Sequence, residues 1–78
     1  MPNTRTRLYV IRTTCGKWIT QKQVADAAGI PLRTYEALEQ GMRDINKTQA
    51  FTVYRLAVAL SNLTGRKWTV EDLLEFQW

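Results

Sequence analysis

Apolar residues recur at intervals of three and four along most of the chain, a spacing that predicts amphipathic α-helices. The pattern is strongest from 48 to about 63, where Thr48 can cap a helix. Its apolar stripe comprises Val53, Leu56, Ala57, Leu60 and Leu63, with Ala50 and Phe51 adding to it. No segment shows convincing strand alternation, so the pattern predicts an all-α fold.

The two ends of the chain predict one further helix each. The first opens at Asn3 or Thr4, runs to about Thr14 and is ended by Gly16. Its core-facing stripe comprises Leu8, Ile11, and Cys15 at its end, broadened by Tyr9 and Val10. The last helix is capped by Thr69, and its buried residues are expected to be Leu73, Leu74 and Phe76. Asp72 follows Thr69 at capping-box spacing.

Residues 20–41 predict two short helices joined by a tight turn at Gly29. Thr20 can cap the first helix, and Ala25 is small where the second must cross closely. The inward positions are Val24, Ala25, Ala28, Tyr35 and Leu38. The opposite face of the second helix comprises Leu32, Arg33, Glu36, Ala37 and Gln40. A mixed polar face on the second of two crossing helices is the layout of a helix-turn-helix.

The links between the predicted helices are short and contain apolar anchors. Ile19 is expected to pack inward beside the Thr20 cap. The link at 42–47 is rich in turn formers, and Ile45 is expected to pin it to the core. With links of this length, the 78 residues form a single domain, 1–78, with its core at about 5–76.

Composition removes several classes of function. The chain has no His and one Cys, which excludes an internal disulfide framework and a Cys/His zinc site. It offers no nucleophile–base pair and no paired carboxylates in an evident cleft, so we expect neither an enzyme nor a metal or other cofactor. No apolar run approaches the ~20 residues that span a bilayer, and no signal peptide is evident. We therefore expect a cytoplasmic, nucleoid-associated protein without a membrane partner.

Positive charge lies on both sides of the 20–41 segment rather than within it. Residues 1–19 and 42–68 each carry a net charge of +4, whereas 20–41 carry −1 and 69–78 carry −3. The total of +4 permits nucleic-acid binding but equally describes an ordinary solvated surface. If DNA is the partner, the cations that contact phosphate flank the predicted helix-turn-helix.

These residues, taken in order, resemble a known family of domains. The matching positions are Thr20, Gln21, Val24, Ala25, Gly29, Ile30, Thr34, Tyr35, Leu38, Glu39 and Gly41, followed by Leu56, Ala57, Ala59, Leu60 and residues 71–74. The chain is similar, over roughly residues 8–75, to the lambda-repressor-like helix-turn-helix domains of the Cro/C1 (xenobiotic-response-element) type. The resemblance implies a five-helix DNA-binding domain with the helix-turn-helix at helices 2 and 3.

Two features of the chain differ from the usual pattern of that family. Pro31 stands where the family usually has a Ser or Thr that caps the third helix, and proline supplies no capping oxygen. The family also pairs an Arg of helix 1 with the Glu at the position of Glu39. Arg12 is the candidate for that pair, although it lies about two residues too far from Thr20, a difference that the link at 16–18 must absorb.

The resemblance implies a sequence-specific regulator of transcription that places a recognition helix, about 31–40, in the major groove of double-stranded DNA. The expected base contacts come from Leu32, Arg33, Glu36 and Ala37, and the expected phosphate contacts from Gln21, Lys22, Thr34, Arg43 and Lys47, with Arg5 or Arg7 in the N-terminal arm. The expected structural residues are Ala25, Gly29, Tyr35, Leu38, Arg12 and Glu39.

Small domains of this kind commonly bind two half-sites as dimers, so we expect a homodimer, formed through helix 5, the tail and Trp68. The alternative function is a protein-interaction module or antitoxin-like partner subunit on the same fold. The net charge of −1 at 20–41 and the aromatic ending, with Phe76 and Trp78, favour that alternative.

Overall fold

Local hydrogen bonds and a shared apolar core divide the chain into short helices. The computed structural model describes residues 6–74. Within that range the backbone forms five α-helices, one 3₁₀ helix and no strand. They are α1 (Arg7–Thr14), α2 (Gln21–Ala28), α3 (Leu32–Gln40), the 3₁₀ helix (Ile45–Lys47), α4 (Ala50–Thr64) and α5 (Val70–Leu73). The prediction of an all-α fold is confirmed.

The core forms around α4, the longest helix. Leu56 and Leu60 of α4 are completely buried, and α2 and α5 pack against this helix. Helix α2 also packs against α3, while α1 contacts α3, α4 and α5. The remaining fully enclosed apolar side chains include Leu8, Val24, Ala25, Tyr35, Leu38, Val53 and Leu73. The inward positions predicted for residues 20–41 are therefore correct.

Helix α2 begins and ends with strong local signals. The Thr20 hydroxyl accepts a hydrogen bond from the backbone N–H of Gln23 at 3.1 Å, and the Gln23 side chain accepts one from the Thr20 N–H at 2.8 Å. Gly29 ends the helix at φ +72°, a left-handed conformation that costs glycine no strain. The next residue, Ile30, donates its N–H to the Ala25 carbonyl at 3.0 Å, which closes the turn into α3.

Helix α3 starts without a side-chain cap, as the position of Pro31 predicts. Pro31 has extended backbone angles and makes no capping hydrogen bond. The helix ends at Gly41, with φ +80°. The N–H groups of Met42 and Arg43 then donate to the Ala37 carbonyl at 3.0 and 3.1 Å. This termination directs the chain back toward the core, where Ile45 is buried as expected.

The predicted start of helix 1 is wrong. The helix was expected to open at Asn3 or Thr4, which lie outside the described residues. Thr6, however, is extended and its hydroxyl accepts from the Tyr9 N–H, so α1 begins at Arg7. Phe76 and the rest of the predicted tail also lie outside the described residues.

Two predictions about α4 are also wrong. Thr48 does not cap it, because Thr48 closes the 3₁₀ helix, with its N–H donating to the Ile45 carbonyl at 3.1 Å, and Gln49 takes the cap position of α4. Phe51 and Ala50 do not join the core stripe but are exposed. Phe51 precedes the buried Val53 by two residues, or about 200° around the helix, which places it on the opposite side.

Along residues 6–74, no helix combines the length and apolar character needed to cross a bilayer. Helix α5 is a single turn whose capping box, between Thr69 and Asp72, forms as predicted. That box places Leu73 in the core and leaves Leu74 half-buried.

Candidate nucleic-acid interface

A buried polar cluster joins α1, α2 and α3. The Arg12 guanidinium donates from Nε to Oε1 of Glu39 at 2.6 Å and from Nη2 to Oε2 at 2.9 Å. Gln21 donates its amide to Oε2 at 2.7 Å, and the Tyr35 hydroxyl donates to Oε1 at 2.6 Å. The expected Arg12–Glu39 pair is thus present, and it belongs to a larger network that fixes the relative orientation of the three helices.

The network determines how its groups ionise. Burial opposes ionisation of Glu39, but the hydrogen bonds from Arg12, Tyr35 and Gln21 outweigh burial and lower its pKa below the ordinary value. Burial and the bond to the Glu39 carboxylate raise the pKa of Tyr35 far above its ordinary value. The hydrogen bond to Glu39 raises the pKa of Arg12. Glu39 is therefore charged at neutral pH and fully paired, which makes it a structural residue.

The first turn of α3 is exposed to solvent. Leu32 and Arg33 are exposed there, immediately after Pro31. Glu36 and Ala37, one turn later, are half-buried. The four residues expected to contact bases thus form a continuous strip on one helix, accessible mainly at its N-terminal end.

The residues expected to contact phosphate fall on two separate surfaces. Gln21 lies at the start of α2, where its side chain is committed to Glu39. Lys22 pairs with Asp26 at 2.9 Å on the exposed side of the same helix. At the start of α2, an anion can be bound by the backbone, because the first N–H groups of a helix have no intrahelical acceptor.

The other three expected phosphate contacts lie together. Thr34, Arg43 and Lys47 line a groove of about 540 Å³ between α3, the 3₁₀ helix and the start of α4. The groove is completed by Met42, Asp44, Thr48, Gln49 and Thr52. Two cations face one carboxylate there, and the Asp44 carboxylate already accepts a hydrogen bond from the Asn46 N–H at 2.9 Å.

The start of α4 makes this groove suitable for an anion. Gln49 occupies the cap position but forms no side-chain hydrogen bond with the helix backbone. The first N–H groups of a 15-residue helix are therefore left without a side-chain acceptor beside Arg43 and Lys47. An oxyanion could accept hydrogen bonds from these groups and from the hydroxyl of Thr52.

Sequence reasoning missed several members of both clusters. The spacing of Tyr35 and Glu39, four residues apart on one helix, could have indicated their contact. Nothing in the sequence pairs Gln21 with Glu39, and nothing assigns Gln49 or Thr52 to a groove with Arg43, because the first contact depends on how α2 packs against α3 and the second on how α4 packs.

In the described part of the chain, the apolar side chains expected to form a dimer are partly or fully buried. Trp68 is half-buried and donates its indole N–H to the Thr64 hydroxyl at 3.0 Å.

In residues 6–74, no three His, Cys, Asp or Glu side chains lie close enough to hold a metal ion.

The groove thus brings Arg43 and Lys47 together with Thr34 of α3 and with the start of α4, which has no side-chain cap. Arg33, next to Thr34 in the chain, is exposed on α3. Neither a family model, a curated protein nor a solved structure matches this chain.

Proposed function

We propose that the protein is a sequence-specific, double-stranded DNA-binding regulator of transcription, built as a lambda-repressor-like domain in which α2 and α3 are the helix-turn-helix. The observation that carries the proposal is the groove at the start of α4. It combines two cations with backbone donors that have no side-chain acceptor, and it includes Thr34 of α3.

In this proposal α3 enters the major groove and reads bases with its first two turns. The Arg33 guanidinium suits the O6 and N7 acceptors of guanine, and Leu32 suits a thymine methyl. Glu36 can accept from a cytosine amino group, and Ala37 adds a further apolar contact. A good bidentate contact discriminates between bases by roughly 1–3 kcal/mol.

The phosphate backbone is held on both sides of α3. Arg43, Lys47 and Thr34 contact one phosphate run together with the N–H groups of α4. The backbone N–H groups at the start of α2, near Gln21 and Lys22, contact another. Each phosphate contact that a variant removes should lower the slope of log affinity against log salt by about one.

The test is selection of bound sequences from a random duplex pool, followed by salt titration of variants on the selected duplex. Arg33→Ala should lose sequence preference, whereas Lys47→Ala should weaken binding to all duplexes evenly and reduce the salt slope. Lys67→Ala is the matched control, because Lys67 is exposed but lies in the link between α4 and α5, outside the groove. Failure of the wild-type protein to bind any duplex at low salt would refute the proposal.

A second candidate function, an interaction module for another protein, rests on Trp18. Its side chain is 100% exposed in the link between α1 and α2. A fully exposed tryptophan is a typical anchor in protein interfaces. If the wild-type protein shows no DNA binding and Trp18 loses solvent exposure in a purified complex, this second function replaces the first.

A further inference from the structure

Helix α4 carries an apolar stripe on its outer side, opposite the core. Phe51, Tyr54 and Val58 remain 63%, 56% and 40% exposed. Their spacing of three and then four residues aligns them along one face over two helical turns. The stripe is separate from the groove at the start of α4 that we assign to phosphate, which is lined by Gln49 and Thr52 rather than by these residues.

The stripe forms one wall of a shallow groove of about 500 Å³, and the C-terminal end of α2 forms the other. One charge of each sign lies in its lining, Asp26 from α2 and Arg55 from α4. The Arg55 guanidinium lies over the Phe51 ring, 4.4 Å from the ring centroid. Gly29 is close to Arg55, since a Cβ at that position would lie 3.7 Å from its Nη1 atom.

We propose that this face binds a second copy of the same chain, with α4 packed antiparallel against α4 across a two-fold axis. A two-fold interface must be complementary to itself. An axis near Tyr54 satisfies this requirement, because it places Phe51 of each copy against Val58 of the other and brings the two Tyr54 rings together. The same operation brings Arg55 of each copy toward Asp26 of the other.

The charges favour a second copy over other occupants. The lining carries one charge of each sign, and the Asp26 carboxylate also pairs with Lys22 at 2.9 Å, so the lining itself offers DNA no excess of positive charge. A partner of a single charge sign would leave either Asp26 or Arg55 opposed. A symmetry-related copy presents its own Arg55 to Asp26 and its own Asp26 to Arg55. This face differs from the α5 surface expected from the sequence, where Leu73 is already buried in the core.

The exposed area predicts a weak dimer. Large aromatic side chains bury about 150–250 Å² each, so the exposed parts of the stripe amount to roughly 300 Å² per copy. That is less than half of the ~800 Å² per partner in a standard interface. Dimerisation should therefore depend on concentration in free solution, and neighbouring half-sites on DNA would strengthen it by raising the effective concentration.

Charge reversal provides a test that a folding defect cannot imitate. Self-association is measured by sedimentation velocity without DNA from about 10 µM to about 1 mM protein. Arg55→Asp and Asp26→Arg should each weaken self-association by about tenfold or more, because each homodimer then opposes like charges. An equimolar mixture of the two variants should regain association close to the wild-type level, since the heterodimer restores both opposite-charge contacts.

Two further variants complete the experiment. Tyr54→Ser should abolish self-association, and Val10→Ser should leave it unchanged, because Val10 is 42% exposed, much like Val58, but lies on α1, outside this face. A monomeric wild-type protein throughout the concentration range, or a mixture that stays monomeric, would overturn the proposal. Because no DNA is present, this result is independent of whether the protein binds DNA, and Arg33→Ala should dimerise like the wild type.

Discussion

Replacing Arg12 with alanine is the most direct way to test how the three N-terminal helices are held together. The substitution removes two hydrogen bonds to the Glu39 carboxylate and a third, at 2.9 Å, from Nη1 to the carbonyl of Ile19. The Glu39 side chain is 3% exposed and that of Arg12 is 16% exposed. The variant therefore leaves a buried carboxylate that has lost its cation and keeps only the neutral donors Tyr35 and Gln21.

The expected loss is about 3 kcal/mol of unfolding free energy. Removing one partner of a buried ion pair costs ~3–5 kcal/mol, because the other charge stays buried without compensation. The lower end of that range applies because Glu39 keeps two hydrogen bonds and the shortened side chain at position 12 admits water. A domain of 78 residues has an unfolding free energy of roughly 4–12 kcal/mol. The variant should therefore still fold, but with a measurably and markedly lower unfolding free energy. Arg12→Lys keeps the charge but loses the paired geometry, and about 1–2 kcal/mol should be lost.

The assay is urea unfolding followed by far-UV circular dichroism at pH 7. Lys22→Ala is the control, because it breaks the Lys22–Asp26 pair, whose side chains are 70% and 65% exposed. That exposed pair should contribute about 0.5 kcal/mol or less. A loss for Arg12→Ala within about 1 kcal/mol of the Lys22→Ala value would show that the Glu39 cluster does not stabilise the domain as the structure indicates.

Two further predictions concern pH and helix capping. The lowered pKa of Glu39 means that its contribution to stability is present above the ordinary value of 4.5 and is lost as the pH falls through the folded-state pKa. The pKa of Tyr35 is raised, so above about pH 10 the unfolded chain releases a proton that the folded chain retains. The free energy of unfolding therefore also declines above about pH 10, by up to ~1.4 kcal/mol per pH unit. Thermal unfolding across pH should show both declines, and Tyr35→Phe should flatten the alkaline one; an unchanged alkaline slope would contradict the assignment. Thr20→Ala should lower the free energy of unfolding in urea by about 1 kcal/mol, because it removes the α2 cap. Thr48→Ala should lower it less, because Thr48 caps no α-helix. Equal losses for the two variants would refute this difference.

The sequence predicts those parts of the fold that depend on near neighbours in the chain. Caps at Thr20 and Thr69, and the helix ends at Gly29 and Gly41, follow from residue type and from contacts within a few positions. The same local logic fails at Thr48, because the 3₁₀ helix at Ile45–Lys47 ends on that residue and Gln49, one residue later, takes the cap position of α4. A capping residue only indicates a helix start when no nearby turn competes for it.

Helical periodicity identifies a face but does not say which apolar side chains find a partner. Phe51, Tyr54 and Val58 repeat at the same spacing as the core residues of α4, yet they remain exposed because no other element of the described chain covers that side. The spacing is equally compatible with burial inside one chain and with an interface between two.

The sequence by itself determined the helices, their turns and most of the core of this protein, because these depend on propensity, capping and spacing over a few residues. It also supplied the Arg12–Glu39 pair, by resemblance. Only the tertiary structure added Gln21 to that pair, and only it assembled Thr34, Arg43 and Lys47 beside the uncapped start of α4. The physical reason is that each of these clusters joins different elements of the fold, whose contacts are set by how the helices pack.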